Sequence, residues 1–494
     1  PLERRWRRRL GVEEVDLLPV LEPGEGLNAR EWVENEFGGA PLNDRRRSAR
    51  LVKSVELLAG APGGKINADP RSDRTAINGF YRLIDLPAES AVTVENILAP
   101  HRERSLRRVR GQGKETVLMI QDGTDLRFAT RPGCDGLQVI GRNQTGAKTL
   151  GLHLHATLAV SSEGLPLGVL RLGFDETGPA PRKSGRWVEA FTDLSEAVRD
   201  IGGRTRIISV CDREGDFFEL FDTQRRHGRV ELLVRAQHDR VLGPGRPKLF
   251  SVMGGGERDG VIDIEIEGLT ARPKSSRKAA RLKRSATCEL RFRRVSLPAT
   301  DAVDGAEPVT VSAVHLLELN PPPQEKPVQW SLLTTVEVGN ASEAAEVVGY
   351  YLQRWKVEDF FRVLKSGCRV EYLLFRTAQR LQRAIAINAV IAWRIMVMTL
   401  LGRQVPDCDP NLMFTDTELG FLREYGDECG LPPPDRLAGA VRLVAHLGGY
   451  REREGDPGPG HQLMWQGQTR LSSASLGFRI GYNAKNRHAL HNGK

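Results

Sequence analysis

Residues 342–367 read SEAAEVVGYYLQRWKVEDFFRVLKSG, and the rest of the chain is organised around them. No proline interrupts the segment, and glycine occurs only at Gly349 and at the final position. Ser342 can cap the first turn, so the sequence predicts one long helix. Apolar side chains cover most of its circumference, which is typical of a helix that packs on more than one side.

Four residues of this helix form a stripe, namely Tyr351, Arg354, Glu358 and Lys365. At about 100° per residue they fall within roughly 60° of one another, over a length of about 20 Å. A surface ladder of ion pairs is one explanation, because Arg354 and Glu358 have i, i+4 spacing. The other explanation is a carboxylate flanked by donors that suit phosphate oxygens, and it requires further acidic residues elsewhere in the chain.

The chain of 494 residues carries a formal charge of +9, with 72 Lys and Arg residues against 63 Asp and Glu residues. Its length predicts roughly two to four domains with a substantial core. The positive charge is clustered, which favours a polyanionic partner and nucleic acid above all. The basic runs span residues 4–9, 45–53, 102–114 and 272–294.

The cellular compartment is predicted from the cysteines and from the apolar segments. Six dispersed cysteines without a CxxC pair indicate a reducing compartment, and neither a disulfide framework nor a zinc site. The arginine-rich start has no apolar segment behind it, so no signal peptide is expected. Residues 384–401 are strongly apolar, but Asn388 and Arg394 interrupt them, which favours a buried helix over a membrane span. We therefore expect a soluble cytoplasmic protein.

The N-terminal region is predicted to be helical and basic, with helices at 28–40, 43–60, 74–86 and 93–109. In the second helix, Asn43 or Asp44 can serve as N-cap. The apolar residues of this helix lie opposite much of its basic set, which is Arg46, Arg47, Arg50 and Lys53. A solvated basic face and a phosphate-contacting helix explain this pattern about equally well.

From residue 115 the pattern changes to short apolar runs bounded by turn signals. Strands are predicted at 116–121, 150–161, 165–174, 206–211, 230–234 and 331–336, with helices at 184–202 and 217–226. This order predicts an α/β sheet with helical cover. A β-rich insertion is predicted at about 240–330. A loop-rich tail follows, with helices near 377–404, 416–425 and 435–447.

Acidic residues follow two of the predicted strands. Asp122 and Asp212 each stand where an open sheet presents its ligand-binding edge, although an Asp at a strand end is about as often a loop cap. Together with Glu358 they provide three carboxylates, which are ligands that Mg²⁺ prefers. Two such ions about 4 Å apart can activate a nucleophile and stabilise a leaving oxygen on either side of a phosphate. For His153 and His155, which share a strand face without a third partner, packing or hydrogen bonding is favoured.

Three segments carry a resemblance to a known family, namely MIQDGTDL around Asp122, VCDREGDF around Asp212 and YLQRWKVEDFFRVLK around Glu358. They resemble the acidic motifs of bacterial cut-and-paste DDE transposases. More narrowly, they resemble the insertion-sequence group marked by Tyr-x₂-Arg-x₃-Glu-x₆-Lys, whose spacing is complete here. The similarity extends to NDRRRSARLV near the N-terminus and to LNPPPQEKPVQW before the last strand, so it covers most of the chain. One departure is Gly123, where relatives often carry Thr.

The resemblance implies an RNase H-like catalytic core with a β-rich insertion, a helical N-terminal DNA-binding domain and a mainly helical C-terminal region. The implied boundaries are 1–110 for DNA-end binding, 111–375 for catalysis and 376–494 for dimerisation. Asp122, Asp212 and Glu358 are expected to be catalytic and to hold two Mg²⁺ ions, with Mn²⁺ able to substitute. The expected partners are double-stranded DNA (transposon-end inverted repeats and target DNA) and a second copy of the chain, at the bacterial nucleoid and not at a membrane.

The resemblance also implies particular DNA contacts. Tyr351, Arg354 and Lys365 are expected to contact phosphates at the transposon terminus. Trp330 matches the family's stacking residue for a flipped base, since an extruded base needs an aromatic platform. From the sequence alone, a Trp at the start of a strand is more often a core residue, and both explanations stay open.

In this family, water cuts the transposon end to leave a 3′-hydroxyl, which attacks the opposite strand to form a hairpin. The hairpin is hydrolysed and the freed end joins target DNA, so no nucleophilic side chain is required. Two other functions compete with this one. The first is an RNase H-like nuclease that cleaves without strand transfer. The second is a transposase-derived DNA-binding protein whose metal pocket is disused.

Overall fold

The structure is a computed structural model that describes residues 31–68, 72–113, 115–128, 133–142, 146–175, 183–201, 205–243, 245–266, 284–300, 303–323, 325–452 and 458–492. The basic run at 4–9 and the first part of the basic run at 272–294 lie outside the described residues.

The N-terminal region is helical, as predicted, and consists of α1 (Trp32–Phe37), α2 (Arg45–Gly60), α3 (Arg74–Ile84) and α4 (Val94–Gly111). Side-chain caps explain where three of these helices begin, because the N–H groups of a first turn have no acceptor within the helix. The Asp44 carboxylate accepts from the Arg46 N–H at 2.8 Å. Asp73 and Thr93 cap α3 and α4 in the same way.

The described residues contain one mixed sheet of ten strands: β1 (Thr116–Arg127), β2 (Gln138–Arg142), β3 (Lys148–Ser161), β4 (Pro166–Phe174), β5 (Arg206–Cys211), β6 (Glu231–Arg235), β7 (Gly260–Ile266), β8 (Arg284–Leu297), β9 (Val309–Glu318) and β10 (Gln329–Thr334). The strand order is β2-β3-β1-β5-β6-β10-β9-β8-β7, and β4 also pairs with β3. The central strand β1 is antiparallel to β3 and parallel to β5, which is parallel to β6. Strands buried on both faces are near-continuous apolar runs, which is why β5 was recognisable in the sequence.

The β-rich insertion is present, and it extends the sheet. Its strands β7, β8 and β9 pair antiparallel with one another, and β9 pairs with β10. The sequence prediction missed β9. Its apolar run is interrupted by Ser312 and His315, which are nevertheless buried. The His315 ring is satisfied by a hydrogen bond to the Ser331 hydroxyl on β10, so a polar residue is tolerated inside the sheet.

The central helices are α5 (Lys183–Ala197), α6 (Phe218–His227), α7 (Leu249–Gly254), α8 (Ala341–Leu352) and α9 (Trp355–Arg362). The prediction of one continuous helix over 342–367 is wrong. Helix α8 ends before α9 begins, and Val363–Gly367 forms a π-helical turn. At the junction the N–H of Arg354 bonds to the carbonyl of Tyr351, an i to i−3 bond that tightens the backbone while it stays helical.

The start of α8 also differs from the prediction. Its N-cap is Asn340 and not Ser342, because the Asn340 side chain accepts from the Glu343 N–H at 3.0 Å. Asn and Ser are comparable N-caps, so the local sequence does not distinguish them.

The C-terminal region contains α10 (Ala378–Gln404), α11 (Asp416–Cys429), α12 (Leu437–Leu447) and α13 (His461–Asn492). Helix α10 is long and apolar enough to cross a membrane, yet 94% of its most apolar window is buried inside the protein. The prediction of a buried helix at 384–401 is therefore confirmed.

The sequence prediction of a loop-rich tail is wrong for α13. Helix interiors disfavour glycine, and α13 contains several, which conceals it in the sequence. At Gly467 the glycine is required by packing, because a Cβ there would lie 1.8 Å from the Val444 carbonyl oxygen of α12. Glycine thus allows two helix backbones to approach closely.

A buried polar network joins the N-terminal helices to the rest of the protein. The Glu36 carboxylate on α1 lies 2.5 Å from the His101 ring and accepts from Arg108 at 2.9 Å, both on α4. Arg108 also donates to the Leu167 carbonyl of β4 at 2.6 Å, and its guanidinium lies 4.5 Å from the Trp393 ring centroid. These contacts tie α1, α4, β4 and α10 together.

We expect Arg108→Met to destabilise the protein by about 3–5 kcal/mol, because Glu36 would remain buried with too little positive charge beside it. Arg107→Met is the matched control, since Arg107 is exposed and pairs with an exposed Glu103, and it should cost at most about 1 kcal/mol. Urea unfolding of both variants measures the difference. Equal stability of the two would show that the buried network contributes little.

Candidate functional site

The end of the β1–β5 pairing places two carboxylates together. The parallel ladder runs up to Gln121 and Cys211, so Asp122 and Asp212 are the next residues of neighbouring strands. Asp212 follows β5, as predicted, and accepts from the Glu214 N–H at 2.7 Å. Asp122 does not end its strand, because β1 continues to Arg127 along β3. From Asp122 onward, β1 is therefore unpaired on the side that faces β5 and remains paired with β3 on the other side.

Helix α9 brings a third carboxylate to this edge. Arg354, at the start of α9, donates through Nη1 to Asp122 Oδ2 at 3.0 Å and through Nη2 to Glu358 Oε1 at 2.6 Å. Its guanidinium is nearly buried, and the Asp122 carboxylate beside it is only 16% exposed. The predicted Arg354–Glu358 ion pair is present. Because the same guanidinium also pairs with Asp122 of the sheet, the pair is not part of a solvated surface ladder.

Burial and neighbouring charge perturb Asp122. Burial raises the pKa of its carboxyl to about 7, and the negative charges of Asp212 and Glu358 also raise the pKa. Arg354 and the hydrogen bond from the Gly123 N–H act in the opposite direction. Like-charged carboxylates that share a site repel each other, and here the guanidinium offsets that repulsion only in part. A carboxyl group with a pKa near 7 in a carboxylate cluster is typical of a functional site.

The three carboxylates supply the hard oxygen donors that Mg²⁺ prefers. In the described part of the chain, however, no three His, Cys, Asp or Glu side chains are grouped closely enough to hold one metal ion. At this site Asp122 and Glu358 are both turned toward the Arg354 guanidinium. The donor chemistry therefore fits a divalent cation, whereas in the arrangement described here Asp122 and Glu358 are paired with Arg354.

Lys365 also reaches β1, although it lies in the π-helical turn beyond α9. Its ammonium donates to the Thr124 hydroxyl at 2.7 Å and to the Asp125 carbonyl at 2.8 Å. Asp122 and Thr124 are two residues apart on β1, so their side chains point to the same face of the sheet. Lys365, which bonds to Thr124, therefore lies on the same side of the sheet as Arg354, which bonds to Asp122. Two members of the predicted stripe, Arg354 and Lys365, therefore contact β1 despite the interrupted helix.

Tyr351 and Trp330 lie together beside the acidic residues. Their rings meet edge to face with centroids 5.4 Å apart, and Tyr351 is buried while Trp330 is partly buried. Arg235, at the end of β6, lies 5.7 Å from the Trp330 ring centroid and donates to the Gln329 carbonyl at 3.2 Å. Arg235 was not among the site residues predicted from the sequence. The signal that could have found it is its place at the end of the strand beside β5, the same edge that carries Asp212.

The predicted basic helix is α2, and its four basic residues differ in exposure. Arg46 is exposed, and Lys53 is exposed beside Glu56 at 3.1 Å. Arg47 donates to the Leu42 carbonyl at 3.2 Å, and the Arg50 side chain packs against Gly79 of α3. Arg46 and Lys53 are therefore the members most available to an external phosphate.

The two histidines of β3 are engaged on the opposite face of the sheet from Asp122. The His153 ring pairs with Asp125 at 2.9 Å. His155 is buried against Trp187, with ring centroids 4.7 Å apart, and burial lowers its pKa to about 3. Both contacts agree with the packing and hydrogen-bonding roles expected from the sequence.

Three family models match the chain. "Transposase DNA-binding" matches residues 29–88, "Transposase DDE domain" matches 219–394, and "Transposase Tn5 dimerisation domain" matches 390–484. The matched order agrees with the helical N-terminal region, the mixed central sheet and the helical C-terminal region, which confirms the predicted RNase H-like fold class. The DDE match includes Glu358 but begins after Asp122 and Asp212, so the grouping of the three acids depends on the geometry described above.

We expect the metal-free protein to lose stability as the pH rises from about 4 to about 7. The folded state holds the Asp122 proton up to a pKa of about 7, whereas the unfolded chain releases it near 3.8, so deprotonation favours unfolding across that window. Asp122→Asn should remove a pH-dependent loss on the order of 2–4 kcal/mol and make the protein more stable than wild type at pH 8.

Thermal or urea unfolding from pH 5 to pH 8, with chelator present, measures this difference. Asp263→Asn, at an exposed position of β7, is the control and should follow the wild-type profile. If the stability of Asp122→Asn changed with pH in parallel with that of wild type, the raised pKa assigned to Asp122 would be wrong.

Proposed function

The chain belongs to the DDE-type insertion-sequence transposases, and from this premise we propose that it performs cut-and-paste transposition. Its proposed reactions are hydrolysis of the phosphodiester at each transposon end, attack of the resulting 3′-hydroxyl on the opposite strand to form a hairpin, hydrolysis of that hairpin, and joining of the freed end to target DNA. The single observation that carries the proposal is that Arg354 pairs with both Asp122 and Glu358 at the sheet edge where Asp212 follows the neighbouring strand.

We propose that residues 1–110 bind the transposon end, 111–375 catalyse the reaction and 376–494 dimerise. The match of a DNA-binding family at 29–88 supports the first assignment, and the match of a dimerisation family at 390–484 supports the third. The proposed assembly is a homodimer that holds two inverted repeats. A DNA substrate of this kind suits the bacterial cytoplasm, at the nucleoid.

Asp122, Asp212 and Glu358 are the proposed ligands of two Mg²⁺ ions, which Mn²⁺ can replace. When bound, such ions activate water and stabilise the leaving oxygen of the phosphodiester. The carboxylates position that chemistry at the sheet edge, and the elevated pKa of Asp122 supports the assignment because a cation would relieve the crowding of negative charge. The proton on Asp122 must leave before the carboxylate can serve as a ligand.

Arg354 is proposed to exchange partners when DNA arrives. Its two-pronged contact to carboxylates is the same geometry by which a guanidinium binds a phosphate. Transfer to a phosphate of the transposon end would release Asp122 and Glu358 from the guanidinium. In this way DNA binding and completion of the acidic site would be coupled.

The neighbours of Arg354 have proposed roles in holding the DNA end. Lys365, which now bonds to Thr124, is within the same stripe and offers a second phosphate contact. Trp330 is proposed to stack on a flipped base, which its partial exposure permits. Tyr351 and Arg235 pack beside that ring and would orient it.

We expect Asp122→Asn, Asp212→Asn and Glu358→Gln each to lower the rate of end cleavage by about 10³-fold or more, since several kcal/mol of charge stabilisation is lost. End binding should persist, because the basic surfaces are unchanged. Cleavage of a supercoiled donor plasmid that carries the flanking inverted repeats, with and without Mg²⁺, measures the loss.

Asp359→Asn is the matched control, since Asp359 follows Glu358 but pairs with Arg362 at 2.8 Å. It should cut at close to the wild-type rate. If a variant at Asp122, Asp212 or Glu358 cut DNA at the wild-type rate, that residue would not be a catalytic metal ligand. If the wild-type protein gave nicked products without hairpins, it would be a nuclease that lacks strand transfer.

We expect the double variant Arg46→Gln, Lys53→Gln to bind end DNA more weakly and with a shallower salt dependence. Each lost phosphate contact lowers the slope of log affinity against log salt by about 0.9, so the double variant should lose about two units. Titration between about 50 and 200 mM salt measures the slope. Arg423→Gln, on an exposed face of α11, serves as control, and an unchanged slope in the double variant would remove α2 from the interface.

A further inference from the structure

A cavity of about 400 Å³ lies where the N-terminal helices meet the C-terminal region. Its wall is built by five helices, namely α1, α2, α10, α11 and α13. A volume of this order is typical of sites that hold a small organic molecule. The apolar part of the wall consists of Trp32, Val52, Ile391, Ile395, Met398 and Leu476. The cavity can therefore enclose the apolar body of a small molecule.

Arg394 brings a buried positive charge to this wall. The residue is only 9% exposed, and its guanidinium lies 4.5 Å from the Trp32 ring centroid. Nη2 donates to the Met413 carbonyl at 3.0 Å. Nη1 is buried as well, and among the residues that the structure describes it has no hydrogen-bond partner. A buried donor without an acceptor costs free energy, which a ligand that supplies the acceptor would recover.

The guanidinium of Arg394 keeps its charge at neutral pH. Burial lowers its pKa to about 10, and the negative charges of Glu418 and Glu36 act in the opposite direction. Both acids are already engaged, because Glu36 belongs to the buried network with α4 and Glu418 accepts from the Thr415 N–H at 2.8 Å. An external anion would therefore meet a cation that its acidic neighbours do not fully satisfy.

Gln468 of α13 is a second polar residue of the same wall that lacks a partner. Its Oε1 atom is buried and forms no hydrogen bond with any described residue. The amide group can be turned to present either its oxygen or its nitrogen, and both orientations leave a buried polar atom to be paired. Two such groups, on α10 and on α13, line one cavity. This coincidence points to a ligand with a polar end and not to an apolar void.

The remaining charges of the wall decide which kind of anion fits. Glu34, Glu56 and Glu418 line the cavity against two arginines, Arg394 and Arg479. Phosphate groups and nucleotides carry two or more negative charges and are bound by clusters of cations, so this wall disfavours them. A single carboxylate needs only one guanidinium. The wall therefore selects a monoanion with an apolar body.

We propose that this cavity binds a small organic monocarboxylate, whose carboxylate pairs with Arg394 and whose apolar body lies against α10 and Trp32. The Gln468 amide supplies a further polar contact. Such a ligand would join α1 of the N-terminal region to α10 and α13 of the C-terminal region. The inference does not rest on the proposed function, because the cavity is lined by helices of the two flanking regions and the proposed chemistry takes place at the sheet edge.

Titration of the full chain with fluorobenzoate, followed by fluorine NMR without DNA or Mg²⁺, tests the proposal. Fluorobenzoate has one carboxylate on an aromatic ring, and it should bind saturably with a Kd on the order of 1 mM, as expected for so small a ligand. Fluorobenzamide has nearly the same shape without the charge. It should bind about tenfold more weakly or worse, because a charge-assisted hydrogen bond is lost.

Variants locate the binding site. Arg394→Met should weaken fluorobenzoate binding about tenfold or more. Arg380→Met is the matched control on the same helix, since Arg380 pairs with Asp85, and it should bind as wild type does. Leu476→Trp narrows the cavity at a partly exposed position and leaves Arg394 in place, and it should also abolish binding. Thermal unfolding of each variant separates lost binding from lost folding.

Four results would overturn the proposal. They are no saturable binding to the wild-type protein, equal affinity for the acid and the amide, unchanged affinity in folded Arg394→Met, and displacement of fluorobenzoate by an equal concentration of inorganic phosphate. Failure of the wild-type protein to cut end DNA with Mg²⁺ would reject the proposed transposition and leave the result for the cavity intact.

Discussion

The parallel pairing of β1 with β5 is the constraint on which the rest of the molecule depends. The ladder ends at Gln121 and Cys211, and the register of the two strands makes Asp122 and Asp212 the next neighbours. Beyond this point β1 is supported by β3 alone, so the edge that faces β5 is open. Two carboxylates are thus brought together by backbone hydrogen bonds of the strands that precede them, and no flexible loop has to place them.

The energy of this arrangement is unfavourable for the free protein, and the cation that we propose would relieve it. Burial and repulsion raise the pKa of Asp122, and the Arg354 guanidinium compensates for only part of the negative charge. A site of this kind gives up stability for function, as functional sites commonly do. The guanidinium acts as an internal counter-ion that joins α9 to the sheet, and the same fork can hold a phosphate.

The N-terminal, central and C-terminal regions contact one another at Gly367, where the segment that carries Glu358 ends. A Cβ at Gly63 of the N-terminal region would lie 2.3 Å from the Gly367 carbonyl oxygen, and a Cβ at Gly367 would lie 2.9 Å from the Trp465 ring of α13. Both glycines therefore permit contacts that any larger residue would block.

The amino-acid sequence by itself determined the features that depend on near neighbours in the chain. The apolar run of β5, a cap for α2 at Asn43 or Asp44 and the burial of α10 all follow from local patterns, and so does the presence of acids after apolar runs. Strand extension beyond Asp122 was not predictable, because it depends on a partner strand and not on apolar periodicity.

Only the tertiary structure decided how the site is arranged. Asp122 and Arg354 are 232 residues apart in the chain, so no local pattern could show that one guanidinium lies between Asp122 and Glu358. The same holds for Arg235 beside Trp330 and for Gly467 of α13, whose role is visible only against the backbone of α12. Residue types and spacing identify which groups can do chemistry. Strand register and helix packing decide which of them meet.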